Sequence, residues 1–447
     1  MKRRFRLSLR TVSIFSSTLF LCAAGLNICF SLGFYKDPQT VRLTFQTAEK
    51  LAAALTSATL WPLHPQQRTL NYWLLHATAL SFSELSLEAS SPQALSDVGS
   101  PIATQANTAS TNHTLPVATQ APQAGANSVH RLTIGWVLDT GAKSLTSTLH
   151  QTPGLSVLAP KWWHVDGPNG ALAGTVEPSV ITTAKQLGVR VWAVVDNGFN
   201  GPMSHSFLQF KNTQDSLIRQ LTLRAKQTHI AGINLDFEGL LPEDRWNYAR
   251  FVSQLAYHLH LEHKSLSIDL PPDYVNGDNT GPYNHAALAK AADYIILMGY
   301  DQHWGGDTTA GPTASLPWVA SSLSDMLHTG IPAAKLILGV PFYTQDWTVA
   351  KNGQVLSSQP LSLWQVRDVI ANHHIQTRWD RQLGLHFGVY MDQGVRHEIW
   401  VEDNRSLLLT LQLVARDHLA GAAAWYLGLE YPSTWLSLTD SVRSAIA

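Results

Sequence analysis

Ala231-Gly232-Ile233-Asn234-Leu235-Asp236-Phe237-Glu238 alternates apolar and polar residues with a period of two. That period is a β-strand's, so Asn234, Asp236 and Glu238 project from one face and Ile233, Leu235 and Phe237 from the other. The apolar face suits packing against helices. The polar face needs partners or the water of a barrel mouth, because a buried polar group without either is costly. Two acids two residues apart also form an acid–base device. A charged Asp236 raises the proton affinity of Glu238, which makes the glutamic acid a general acid near neutral pH. The plainer alternative is a hydrogen-bonded polar ladder in a barrel core.

Outward from this strand, short apolar runs alternate with helical patterns from Arg131 to the end. The strand candidates are Leu132–Leu138, Leu155–Val165, Val189–Val195, Gly232–Phe237, Leu266–Leu270, Tyr294–Tyr300, Leu336–Phe342 and Ala422–Leu427. Helical spacing is clearest at Trp246–Leu259, where Tyr248, Phe251, Val252, Leu255 and Leu259 share a face. A further helix starts at Pro317, with Trp318, Leu323 and Leu327 expected on its buried side. Eight such strand–helix units predict an α/β fold, a (β/α)8 TIM barrel, with function at the C-terminal ends of its strands. The long interval 345–420 between the seventh and eighth strands holds strand-like segments at His386–Tyr390 and His397–Val401. It reads as an α+β insertion.

The 447 residues carry Lys+Arg 31 against Asp+Glu 32, a net charge of -1, so no nucleic-acid footprint is present. Charged residues are only 14% while tryptophans number 15, a balance nearer to sugar binding than to phosphate binding. The two cysteines, Cys22 and Cys29, exclude a disulfide scaffold and a cysteine-based zinc site. Ahead of the barrel, Lys2, Arg3, Arg4, Arg6 and Arg10 precede an uncharged run from Thr11 to Tyr35, long enough to span a bilayer. The positive cluster would stay cytoplasmic and place the barrel outside. A cleaved signal peptide is the competing reading. The expected organisation is a basic stub and anchor over 1–35 with the membrane segment at 11–35, then a helical segment over 36–90. A flexible linker over 91–130 leads to the barrel over 131–447.

The strand motif resembles the D-x-x-D-x-D-x-E signature of the family 18 glycoside hydrolases, the chitinase-like barrels. Met298-Gly299-Tyr300-Asp301 is similar to that family's M-x-Y-D, and Gly339-Val340-Pro341-Phe342-Tyr343 to its seventh strand. Trp425 stands where the family places the tryptophan under the sugar. Trp162-Trp163-His164-Val165-Asp166-Gly167-Pro168 and Tyr300-Asp301-Gln302-His303-Trp304 resemble a bacterial branch, as does Gly311-Pro312 with Pro317-Trp318. That branch includes spore-cortex hydrolases and barrels joined to polysaccharide deacetylase or glycosyltransferase modules. The resemblance begins at about residue 131.

The resemblance implies a retaining, substrate-assisted hydrolysis of β-linked N-acetylglucosamine polysaccharide, without cofactor or metal. Glu238 would be the acid and base, Asp236 would orient the substrate's acetamide, and Tyr300 would hydrogen-bond its oxygen. Trp425 would stack beneath the ring, although core packing is an equal reading of that residue. Asn234, Asp301, Gln302, Trp136, Trp304 and Trp400 are further substrate-binding candidates. Asp166, Asp196, Asn197, His164 and His303 are weaker ones, each equally suited to a turn or cap. Two positions depart from the signature: its first Asp is Ala231 and its second is Asn234. Asn234 is expected to donate a hydrogen bond to Asp236, but it cannot share a proton as an acid would. A noncatalytic glycan-binding barrel is one rival reading. An accessory factor docked on a membrane polysaccharide synthase is another.

Overall fold

The computed structural model describes residues 131–272 and 281–444. The stub and apolar run of 1–35, the helical segment of 36–90 and the linker of 91–130 lie outside them. Among the described residues, no helix is long and apolar enough to cross a membrane.

The strands are β1 (Leu132–Val137), β2 (Val157–Val165), β3 (Leu172–Gly174), β4 (Arg190–Asp196), β5 (Gly232–Asp236), β6 (Ser265–Leu270) and β7 (Tyr294–Met298). They continue with β8 (Leu336–Pro341), β9 (Tyr343–Val349), β10 (Val355–Ser362), β11 (Arg378–Asp380), β12 (Leu385–Asp392), β13 (Val395–Val401) and β14 (Gly421–Trp425). Hydrogen-bonded order runs β1-β14-β8-β7-β6-β5-β4-β2, and β2 pairs back onto β1. All of these pairings are parallel, so the sheet closes as an eight-stranded barrel. Each expected strand supplies one stave. The short β3 adds antiparallel to the end of β2, so Asp166 and Gly167 occupy a hairpin that periodicity did not reveal.

The helices are α1 (Ala142–Gln151), α2 (Pro178–Gln186), α3 (Gly201–Leu208), α4 (Lys211–Thr228), α5 (Arg245–Leu261), α6 (His285–Ala291), α7 (Leu316–His328), α8 (Leu363–Asn372), α9 (Asn404–Arg416) and α10 (Pro432–Ser444). Tyr248, Phe251, Val252, Leu255 and Leu259 of α5 are all buried, as their spacing required. Phe237 of the β5 exit joins Phe207 and Phe251 in an aromatic cluster beneath α3 and α5. Each such fully buried ring contributes about 1.5–3 kcal/mol. On α7 the buried stripe is Val319, Ser322, Leu323 and Met326. Trp318 and Leu327 only flank it, one position round the helix from where a strict three–four spacing sets them.

Between β8 and β14 a five-stranded sheet forms in the order β10-β9-β13-β12-β11, antiparallel throughout. Ser362 and Gln365 close a capping box at the start of α8, which packs on this sheet through Val366. The sheet starts at Tyr343, earlier than the sequence boundary. The chain returns through α9, whose first turn is capped by Asp403 accepting from the Arg405 and Ser406 amides.

Candidate active site

The inward residues of the barrel become polar toward the C-terminal ends of β4, β5 and β6. Near the opposite end, Trp192 stacks on Tyr294 with centroids 5.6 Å apart, and the Arg190 guanidinium lies 5.8 Å from the Trp192 ring. These side chains pack together at the N-terminal end of the barrel.

Asn234 is wholly buried. Its Oδ1 accepts the Trp136 indole N–H at 2.8 Å. Its Nδ2 donates to Ser267 Oγ at 3.0 Å and to Asp269 Oδ1 at 2.7 Å. Both N–H bonds therefore go to β6 and none reaches Asp236, contrary to the expectation from the sequence. The reason is register. Asn234 lies opposite Ser267 across the β5–β6 ladder, whereas Asp236 is two residues further along its own strand.

Asp236 is buried at 6% exposure. Its Oδ1 has no hydrogen-bond partner among the described residues. Burial pushes its carboxyl up to about 6, the Lys161 ammonium opposing the rise and the Asp196 carboxylate adding to it. Lys161 Nζ lies 3.5 Å from Asp196 Oδ2. Asp196 is the register partner of Asp236 on β4, and its Oδ1 accepts the Gly198 amide at 2.8 Å.

Glu238 is half-buried just past the end of β5. Burial lifts its carboxyl well above the usual carboxylate range, the charges of Asp236, Asp269 and Asp301 add to that, and Lys161 opposes. The result is an acid that holds its proton more tightly than an ordinary carboxyl does, beside Asp236. Its backbone is clamped by one side chain: Asn197 Oδ1 accepts the Glu238 N–H at 2.9 Å, and Asn197 Nδ2 donates to the Glu238 carbonyl at 2.7 Å. The Tyr283 hydroxyl donates to the Phe237 carbonyl at 2.8 Å, fixing the preceding residue.

Across the barrel, Tyr300 and Trp425 stack, with centroids 6.0 Å apart and planes 16° apart. Trp136 meets both edge-on, at 6.4 Å and 5.6 Å. Burial and the nearby Asp269 and Asp236 charges hold the Tyr300 phenol protonated, so it can donate a hydrogen bond. Trp425 is partly exposed and leaves one face for an apolar ring surface. Asp301, in the left-handed region with φ 60°, accepts from the Tyr343 hydroxyl.

The remaining candidates divide. Trp136 is 1% exposed and bound to Asn234, so it supports the site from below and is closed to a ligand. Gln302 is spent in its loop, its Oε1 accepting the Ser315 amide at 2.9 Å. Trp304 is 52% exposed on the segment after β7. Trp400 sits on β13 of the inserted sheet with its ring 4.7 Å from Phe387. His303 pairs with Asp307 at 3.1 Å, and no group of His, Cys, Asp or Glu among the described residues is arranged to hold a metal ion. Asp269, Lys161 and Tyr283 were not singled out from sequence. The first had a signal, because Ser265-Leu266-Ser267-Ile268-Asp269 alternates as β5 does.

Residues 183–430 match the family model "Glycosyl hydrolases family 18". The chain is 29% identical over 288 residues to "Uncharacterized glycosylase YvbX" of Bacillus subtilis, covering 62% of this chain and 81% of that one. It is 24% identical over 284 residues to the "Cortical fragment-lytic enzyme" of the same organism, covering 61% and 64%. The chain thus spans a little under two thirds of that relative's length. Among solved structures, the Bacillus megaterium spore cortex-lytic enzyme SleL superposes with TM-score 0.63 at 24% identity, over 71% of this chain and 75% of that one. A chitinase from Chromobacterium violaceum gives TM-score 0.62 at 22% identity, over 70% and 99%.

Proposed function

The chain belongs to the glycosyl hydrolases of family 18, and from that premise we propose that it cleaves β-linked polysaccharide containing N-acetylglucosamine, with retention and with help from the substrate's own acetamide. The observation carrying this reading is the seating of Glu238, its carboxyl raised by burial, beside Asp236 at the barrel mouth, opposite the Tyr300–Trp425 stack. Glu238 gives its proton to the glycosidic oxygen while the acetamide carbonyl attacks the anomeric carbon. Asp236 orients the acetamide N–H and offsets the charge that develops on it. Tyr300 donates to the acetamide oxygen, and Trp425 stacks under the sugar ring. Glu238 then takes a proton from the incoming water and is restored.

Relatives named for spore-cortex lysis favour peptidoglycan as the polymer. The basic cluster and apolar run at the N-terminus favour an exported barrel held at the membrane. The glycan-binding alternative is less favoured, because the acid position of the signature is kept as Glu238, which turnover needs and binding alone does not. The test is release of reducing ends from N-acetylglucosamine oligomers and from peptidoglycan by wild type and Glu238→Gln. Loss of the general acid should lower kcat by about 10²–10⁴-fold with oligomer binding retained. Equal activity of the two proteins would remove Glu238 from the mechanism.

A further inference from the structure

We propose that Asp269 is the proton-holding partner of Asp236, so that the acid pair of this barrel lies across β5 and β6 and not along β5. The inference rests on the role given to Asp236 above and names a positioning residue for that reaction.

The β5–β6 ladder pairs Asn234 with Ser267 and Leu235 with Ile268; the next position along each strand carries Asp236 and Asp269, and the Asp236 charge acts on the Asp269 carboxyl. Both are buried, at 6% and 2% exposure. Asp269 Oδ1 is engaged by the Asn234 amide, while Asp236 Oδ1 is buried without a partner among the described residues. Two adjacent carboxyls in such a place cannot both ionise, and the pair retains one proton. Which member holds it follows from the surroundings. Lys161, paired with Asp196, favours ionised Asp236 and Glu238. Burial first and the Asp236 charge second favour the protonated form of Asp269, and they outweigh the Asn234 and Trp136 N–H groups, which oppose it.

The other titratable groups facing this pair are Glu238 at the end of β5 and the phenols of Tyr248, Tyr283 and Tyr300. Burial holds those phenols protonated. Asp236 is thereby free to accept the acetamide N–H as an anion. The proton stays on Asp269 through the cycle, and the leaving-group proton comes from Glu238 and returns to it from water. Asn234, at a position where the signature carries an acid, becomes the neutral bracket that holds Asp269 in place.

The test uses the full chain. In infrared difference spectra at neutral pH, Glu238→Gln minus Glu238→Gln/Asp269→Asn should show loss of a protonated-carboxyl band. Loss of an ionised-carboxylate band instead would overturn the proposal. In kinetics on N-acetylglucosamine oligomers, Asp269→Asn exchanges a neutral acid for a neutral amide, so the acidic limb of kcat/KM should stay within about 0.3 pH unit of wild type while kcat falls about tenfold as Asp236 loses its support. A folded Asp269→Asn protein whose acidic limb moves down by about one pH unit would show that a charge had been removed, and would also overturn it. If Asp269→Asn does not fold, Asn234→Asp/Asp269→Asn returns the acid to β5 and should show the wild-type limb; a folded double variant without turnover counts against the pair. If wild type cleaves no such oligomer, the substrate reading fails, and the infrared comparison still decides where the proton sits.

Discussion

At the residue scale, the site depends on how the main chain of Glu238 is held. Asn197 is 1% exposed and satisfies both the N–H and the C=O of Glu238, and it also donates to Ser204 Oγ. Asn197→Ala leaves those buried groups unpaired, at a cost of about 1–3 kcal/mol in stability. The displaced acid should reduce kcat about 10–100-fold with KM changed far less, since transition-state geometry is lost and ground-state binding is not. Steady-state kinetics with thermal melts would check it, and an unchanged kcat would mean that the clamp is structural only. The placement of Glu238 next to Asp236 at the end of one strand was legible in the sequence because their relation is local, two residues apart. Asn197, Lys161 and Asp269 take their roles from other strands, where a separation of tens of residues closes to a hydrogen bond or an ion pair. The alternation at Ser267 and Asp269 was visible, but its partner was not.

At the element scale, the eight staves followed from the apolar runs, because each is bounded by turn residues and followed by a helical period. Closure is a different matter. Gly421 begins β14, and a Cβ there would lie 2.0 Å from the Leu132 carbonyl oxygen, the residue it faces across the β1–β14 ladder. Gly421→Ala should therefore force β1 and β14 apart and cost about 1–3 kcal/mol or more, measured by chemical denaturation. A wild-type midpoint would show that the ladder can yield. The helix faces were less legible than the strands: α7 turns Val319 and Met326 inward because the barrel and α9 approach it from two sides.

At the scale of the whole molecule, buried carboxyls give the fold a pH dependence. Glu402 lies where the inserted sheet returns to the barrel; its amide donates to Thr344 Oγ1 at 2.9 Å, and its Oε2 accepts from Ser406 Oγ at 3.0 Å. Burial raises its carboxyl to about 8, with the Ser406 hydrogen bond opposing and the Asp403 charge adding. A carboxyl raised on folding binds its proton more tightly in the native state, so its contribution to stability falls as pH rises from the ordinary carboxylate range to about 8. Glu402→Gln removes that dependence. Its melting temperature should match wild type near pH 4 and exceed it increasingly up to about pH 8, the gap corresponding to something on the order of a few kcal/mol. Parallel melting curves at all pH values would show that Glu402 does not titrate in the folded protein.

The sequence by itself determined the strand–helix alternation, the two-residue spacing of Asp236 and Glu238 and the low-charge, tryptophan-rich character, because these depend on period, spacing and composition. Only the tertiary structure decided what Asn234 and Trp136 do, where Lys161 points and which carboxyl lies beside Asp236. Register between neighbouring strands sets those contacts. Register is fixed by the packing of the whole barrel, which no single segment encodes.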